Sequence, residues 1–264
     1  MLGRYIKKKL SNDYTIIPLN RQDYDLSNLN IISLENLLIN QKGLEKGDII
    51  INCAGVIPQS SKERNINTRL YFTINSLFPV ILSQICDKIG AKMIHVTTDC
   101  VFSGKDGNYN ELSLHDEIND YGMSKSLGEL CKATIIRTSI IGEEVNNKRS
   151  LLEWVKSNRD KEINGFINHF WNGVTCLQLS KISHKIIKEK LFWDGVRHIF
   201  SPKSVSKYEL VNMINDSYNL NIIINKYYTE KVDKTINTIY DTNNQFNIPD
   251  LKQQINELKY FIFN

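Results

Sequence analysis

The sequence predicts an α/β protein whose parallel sheet is covered by helices on both faces, and two observations carry that prediction. Short β-branched runs alternate with amphipathic stretches through the first half of the chain. Two of those runs, Ile49-Ile50-Ile51 and Thr134-Ile135-Ile136, are continuously apolar, as strands buried on both faces are. A third observation sets the scale. With 264 residues, 41% of them apolar and 23% charged, the chain can bury a substantial core in one large or two small domains.

Strands are expected at 14–18, 48–53, 92–97 and 133–137. Helices are expected at 2–10, 31–42, 66–89 and 119–131, where apolar residues recur at three- and four-residue intervals. After about residue 146 the alternation becomes irregular. A helix is expected near 150–158, a turn at Trp171-Asn172-Gly173, a helix near 177–190 and a strand at 196–200. Ser206-x-x-Glu209 has capping-box spacing and opens a further helix. A short strand near 221–226 follows, then a last helix whose first turn would hold Pro249 and Asp250. Residues 1–145, with a returning segment at about 174–200, read as a Rossmann-type doubly wound domain. Residues 146–173 and 201–264 read as a smaller α+β lobe that covers the substrate.

Composition narrows the class. No stretch reaches 18 uninterrupted apolar residues, and the first nine residues lack the apolar run of a secretion signal, so a cytoplasmic location is expected. The five cysteines, Cys53, Cys86, Cys100, Cys131 and Cys176, are scattered and never form C-x-x-C. That pattern suggests reduced thiols, with neither a disulfide framework nor a metal site. Net charge is +4, and Lys7-Lys8-Lys9 reads as a solvated helix face, which leaves nucleic-acid binding without support.

The chemistry lies between residues 97 and 129. Thr97-Thr98-Asp99-Cys100-Val101-Phe102-Ser103-Gly104 closes an apolar run, and Tyr121-Gly122-Met123-Ser124-Lys125 follows after a long loop, with Gly128-Glu129 beyond. Tyr-x-x-x-Lys occurs three times, at Tyr5/Lys9, Tyr121/Lys125 and Tyr227/Lys231, so context must choose between them. Only Tyr121 follows a strand ending in hydroxyl residues, and only its motif holds Gly and Ser, small enough for close approach of a ligand. A free phenol has a pKa near 10, and an ammonium one helical turn away would lower it. Thr98 would donate to a substrate oxygen where negative charge develops, and Tyr121 would deliver the proton. The pattern points to reduction of a ketone.

These segments resemble the extended short-chain dehydrogenase/reductase superfamily, and within it the dTDP-4-dehydrorhamnose reductase-like sugar-nucleotide reductases. The resemblance is carried by Met1-Leu2-Gly3-Arg4-Tyr5, Leu19-Asn20-Arg21-x-x-x-Asp25-Leu26, Asn52-Cys53-Ala54-Gly55, Asn75-x-x-x-Pro79, Thr97–Gly104, Tyr121–Glu129 and Ile136-Arg137-Thr138-Ser139. It implies a catalytic triad of Thr98, Tyr121 and Lys125, with Lys125 also holding a nicotinamide ribose. Cofactor contacts are implied for Gly3, Arg21, Asp25, Leu26, Asn52, Ala54 and Gly55. Arg21 sits where a 2′-phosphate would be read, which favours NADPH over NADH. Substrate contacts are implied for Cys100, Phe102, Trp171 and Asn172.

By the same resemblance, the substrate would be a nucleotide-linked 4-keto-6-deoxyhexose, dTDP-linked first, with a UDP-linked or acetamido-substituted sugar as rival; a homodimer is one option for the assembly, and composition gives no membrane or nucleic-acid partner. Two alternatives stay open. In related epimerase/reductases such as GDP-fucose synthases a Cys stands two residues after the catalytic hydroxyl, so Cys100, with His169 as partner acid, could exchange protons beside the ketone. Cys100 could equally be a small buried residue and His169 a packed imidazole. A non-catalytic binding subunit, like the regulatory subunit of methionine adenosyltransferase, is the other alternative. The family's chain begins with a strand and G-x-x-G-x-x-G, which Met1-Leu2-Gly3 enters at its third glycine. The expectation is that Met1 is internal and that the natural protein carries about ten more residues, one strand and its turn.

Overall fold

The computed structural model describes residues 1–58, 67–145 and 150–261. The start of the helix expected at 66 and the lobe boundary expected at 146 lie outside the described residues. The chain opens with α1 (Leu2–Leu10), whose Leu2, Tyr5, Ile6 and Leu10 form a buried stripe while Lys7, Lys8 and Lys9 occupy its last turn. Cations are favourable there, at the negative end of the helix. α2 (Ile31–Asn36), capped by the Asn30 side chain, continues through a wide π turn at Leu37–Gln41. β1 (Ile49–Asn52) leads to α3 (Thr68–Phe72), a second π turn at Thr73–Leu77, and α4 (Phe78–Ile89). Gly90, at φ 83°, closes α4 in the left-handed conformation that suits glycine.

β2 (Lys92–Thr98), α5 (Asp120–Gly128) and β3 (Thr134–Thr138) follow. The remainder comprises β4 (Ile140–Ile141), α6 (Leu151–Ser157), β5 (Glu162–Phe166), β6 (His169–Trp171), β7 (Val174–Thr175), α7 (Cys176–Lys188) and β8 (Gly195–His198). It ends with β9 (Val205–Ser206), α8 (Lys207–Tyr218), β10 (Ile223–Tyr227), β11 (Val232–Asp233), α9 (Thr242–Phe246) and α10 (Leu251–Lys259). The main sheet has strand order β1-β2-β3-β8, all parallel.

Alternation along these strands sends side chains to two cores, which is the physical content of double winding. Ile94 and Ile136 pack with Leu2, Ile6 and Leu10 of α1 and with Leu179, Ile182 and Ile186 of α7. Met93 and Ile135 pack on the other face with Leu34, Phe78, Leu82 and Ile85. The first core continues into Leu210 and Ile214 of α8, so the residues after 200 share it. Smaller sheets pair β5 with β10, β6 with β9 and β11, and β4 with β7.

Three expectations need correction. Residues 14–18 form no strand: among the described residues β1 has a strand neighbour only on its β2 side, so this extended segment has no ladder to join. For the same reason Ile49, Ile50 and Ile51 are half-buried, whereas β3 is buried throughout. Asp250 is the N-cap of α10, accepting from Gln253 N at 2.8 Å, and not a first-turn residue. The capping box at α8 is formed as its spacing predicts, with Ser206 N donating to Glu209 Oε2 at 2.6 Å and Glu209 N donating to Ser206 Oγ at 3.1 Å.

A buried cation ties these parts together. Arg137, only 2% exposed, donates through Nε and Nη2 to Glu129, which follows α5 directly. Its remaining hydrogen bonds reach His198 Nε2 of β8 at 2.8 Å and His115 Nε2 at 2.7 Å. A guanidinium only donates, so both ring nitrogens must accept, and each ring carries its proton on Nδ1. Those protons serve Ser126 Oγ at 2.5 Å from His115 and Asn237 O at 2.5 Å from His198.

Burial, reinforced by Arg137, holds both rings neutral, His198 down to about 4. His95 is likewise pushed down to about 3 by burial and by Lys125. Free imidazole titrates near 6.5, so below that pH the unfolded chain binds more protons than the folded one. Stability is therefore complete above pH 6.5 and is lost as pH falls from 6.5 toward 4. Urea midpoints measured across that window will decline on acidification, and a flat profile would contradict the neutral tautomers.

Candidate active site

Thr98 ends β2, and α5 begins after the 103–118 loop with Asn119 Oδ1 accepting from Gly122 N at 2.9 Å. Two glycines let α5 seat closely. A side chain at Gly122 would meet Cys100 O at 2.6 Å, and one at Gly128 would meet Asn75 O at 2.0 Å. This packing brings the Tyr121 phenol near enough to Thr98 for the two side chains to interact. Cys100 N donates to Thr98 Oγ1 at 3.2 Å, and Thr98 Oγ1 and Asp99 Oδ1 share a hydrogen bond of 3.2 Å. Tyr71 meets Tyr121 edge-on, with ring centroids 6.3 Å apart.

The electrostatics differ from the expectation. Burial raises the Tyr121 phenol above its ordinary value, Cys100 and Asp99 add to the rise, and the hydrogen bond from the Thr98 side opposes it. The expected lowering by Lys125 is not what governs this phenol. Lys125 is itself pushed down to about 8 by burial, with Glu129 and Cys53 opposing. Its ammonium faces the loop after β1, where a side chain at Gly55 would lie 2.8 Å from Nζ. Among the described residues no hydrogen bond or ion pair holds that ammonium.

Other expected cofactor residues surround this loop. Asn52 pins it, with Ala54 N donating to Asn52 Oδ1 at 3.0 Å and Asn52 Nδ2 donating to His95 Nδ1 at 3.1 Å. Gly3 in the first turn of α1 faces Cys53 across 3.8 Å. Arg21 is exposed and paired with Asp25 at 2.9 Å, while Leu26 packs on the α2–α4 core. Asn75, which the sequence marks only as part of a motif, accepts from Val56 N (2.8 Å), donates to Val56 O (3.0 Å) and donates to Ser124 Oγ at 3.1 Å. It thus fastens the β1 loop onto α5.

The expected substrate residues divide. Cys100 is half-buried beside Thr98, its Sγ 3.5 Å from Asp99 Oδ1, and burial and Asp99 push the thiol up to about 12. Its expected partner is engaged elsewhere. His169 stacks on Phe166 with centroids 4.6 Å apart, and its Nε2 meets Thr229 Oγ1 at 2.7 Å and Glu230 O at 3.1 Å. Phe102 has no exposed surface: it stacks on Tyr109 at 4.3 Å beneath the Arg137 guanidinium. Asn172 is buried and spends its amide on Ile236 O (2.7 Å) and Ile236 N (3.0 Å). Trp171 is buried under Lys207, whose Nζ lies 4.9 Å from the ring centroid. Phe102 therefore supports the wall from within, while Trp171 and Asn172 are largely buried and engaged with Lys207 and Ile236. Asp99, Lys207 and Lys234, to which the sequence reading gave no role, instead gather beside Cys100.

A parallel sheet with these side chains gathered at the carboxyl ends of β1 and β2 defines a Rossmann-like α/β protein. The family model described as RmlD substrate binding domain matches residues 1–242, and the chain belongs to that family. dTDP-4-dehydrorhamnose reductase of Mycobacterium tuberculosis is 30% identical over 107 residues, an overlap covering 36% of this chain and 34% of that protein. Methionine adenosyltransferase 2 subunit beta of Xenopus laevis is 27% identical over 198 residues, covering 66% of this chain and 56% of that one. The crystal structure of dTDP-4-dehydrorhamnose reductase from Bacillus anthracis in complex with NADP superposes with a TM-score of 0.80 at 23% identity. That match covers 98% of this chain and 94% of the other, and it is a likeness of fold. Among the described residues no helix is long and apolar enough to cross a membrane, and no cluster of side chains suits a metal ion.

The Lys125 side chain is buried and, among the described residues, its amine has no hydrogen-bonding partner, so desolvating it is a cost to the fold. Lys125→Met should therefore stabilise the free chain, by about 1–3 kcal/mol on the usual scale for unpaired buried polar groups, while impairing function. Urea unfolding at neutral pH measures this; a loss of stability would mean that the amine has a protein partner.

Proposed function

We propose that this protein reduces the C4 ketone of a nucleotide-linked 4-keto-6-deoxyhexose, with NADPH as hydride donor. The observation that carries the reading is the meeting of the Tyr121 phenol and the Thr98 hydroxyl at the end of β2, with the Lys125 ammonium one turn along the same helix. The named reductases among its relatives and structural neighbours support dTDP-4-dehydrorhamnose as the substrate; a UDP-linked keto sugar is the second candidate. In this reading residues 1–145 and 174–200 hold the cofactor, and 146–173 and 201–264 close over the sugar.

The residues present fit a dinucleotide. Lys125 offers an unpaired ammonium for ribose hydroxyls, and the loop 52–55 approaches it with a glycine where a side chain would collide. Arg21 would reach a 2′-phosphate by exchanging its partner Asp25, an exposed pair whose loss costs little. NADPH, when bound, supplies the hydride. The raised phenol of Tyr121 stays protonated at neutral pH, so it is ready to give its proton to the carbonyl oxygen as charge grows there. The Lys125 ammonium stabilises the phenolate that remains. Epimerisation gains no support, because the Cys100 thiol is pushed up and His169 is bonded to Thr229.

A homodimer belongs to the same reading, since Met123, Leu127 and Leu130 leave an apolar strip exposed along and just beyond α5. Leu127→Glu should then shift the sedimenting species to monomer. One other reading has an observation in its favour: the similarity to methionine adenosyltransferase 2 subunit beta, which extends over more of the chain than that to the mycobacterial reductase. Kinetics separate the two. A reductase will oxidise NADPH in the presence of a dTDP- or UDP-linked 4-keto sugar, and Tyr121→Phe will lower kcat by about 10²–10⁴ with little change in KM. A folded chain that binds NADPH but turns over no keto sugar would favour the binding subunit.

A further inference from the structure

The Thr98 hydroxyl has one proton and two lone pairs to share among its neighbours. Cys100 N donates to Oγ1 at 3.2 Å, Asp99 Oδ1 lies 3.2 Å away, and the Tyr121 phenol is close enough to be influenced by the same hydroxyl. Were Asp99 a carboxylate, it could only accept, and it would take the Thr98 proton. Oγ1 would then have nothing to donate to a substrate oxygen, although donation is what the reductase reading asks of it.

The surroundings of Asp99 favour the other arrangement. Its side chain is 3% exposed, and its hydrogen-bonding neighbours are the Thr98 hydroxyl and the Cys100 thiol, the latter at 3.5 Å. Among the described residues no ammonium lies within ion-pair distance. Lys207 is seated on Trp171, and Lys234 donates to Phe102 O at 2.8 Å and lies 3.5 Å from Glu117, so both act on Asp99 from further off. A buried carboxyl so poorly compensated gains by keeping its proton. Burial indeed holds it above the ordinary carboxylate range, against the pull of those two lysines.

We propose that the Asp99 carboxyl is a hydrogen-bond donor to Thr98 Oγ1 and thereby frees the Thr98 proton to meet the substrate carbonyl. Asp99 is in this sense a positioning residue that acts through Thr98. The proposal rests on the reductase reading, so one test is independent of turnover. The free full-length chain and its Asp99→Asn variant are compared by infrared difference spectroscopy at neutral pH, where the wild type should show the carbonyl band of a protonated carboxylic acid that the variant lacks. Thr98→Val should shift that band by removing its acceptor. Carboxylate bands in its place would overturn the proposal.

Kinetics supply the second arm, because an asparagine amide can donate to Thr98 as the acid does. Asp99→Asn should retain kcat within about threefold, whereas Thr98→Val should lose about 10²–10³, the usual cost of a missing donor at a developing oxyanion. A loss in Asp99→Asn as large as that in Thr98→Val, in a folded variant that still binds NADPH, would also overturn it. If the wild type turned over no keto sugar, the reductase reading would fail while the infrared result still decided where the proton resides.

Discussion

The Arg137–Glu129 pair is the interaction on which the rest of the arrangement depends. A guanidinium in a fully buried strand is tolerable only if its charge and most of its donors are met, and here one carboxylate and two imidazoles take four of its five N–H groups. The partners come from the end of α5, from the loop before it and from β8, so satisfying one cation fixes three separate stretches of chain against β3. β3 in turn sets Arg137 beside Thr97 and Thr138 beside Thr98 in the register of the sheet. The helix carrying Tyr121 and Lys125 is thereby held at the end of the strand carrying Thr98. Removing one partner would leave buried charge uncompensated, at a cost of about 3–5 kcal/mol.

Much of this was readable from local pattern. Helices with a clear apolar stripe, as at α1, or a side-chain cap, as at α8, were legible within a few residues, because a helix draws either signal from its own sequence. The main strands were readable for a related reason: β3 is apolar on both faces. Two-residue strands such as β4 and β7 were not, since their identity comes only from the partner each finds. The segment 14–18 has the composition of a strand and lacks a neighbour, so composition misled there.

The candidate site shows the same division. Thr98, Tyr121 and Lys125 could be grouped in advance because a strand end and an i,i+4 helical pair have known directions. How deeply Phe102, Trp171 and Asn172 are packed was not legible, because an aromatic ring or an amide serves equally well inside a wall or on its surface, and only packing decides. His115 and His198 carry no motif at all. They become partners through Arg137, across 22 and 61 residues of sequence respectively.

The site also departs from the simplest picture of an ammonium activating a phenol. Lys125 and Tyr121 are each shifted toward neutrality by burial, the amine down and the phenol up, so in the free chain neither is made reactive by the other. A proton donor needs no activation before hydride arrives; it needs to hold its proton until charge appears on the acceptor. A raised phenol does that, and a nearby ammonium becomes valuable only once the phenolate exists. The uncompensated amine and the weakly compensated Asp99 are then two sides of one design. Both groups carry a burial cost in the free chain, and in the proposed reading both gain partners, directly or through Thr98, from a carbonyl oxygen and a ribose. Such sites trade stability for readiness, and the buried Arg137 network supplies the rigidity that lets the trade persist.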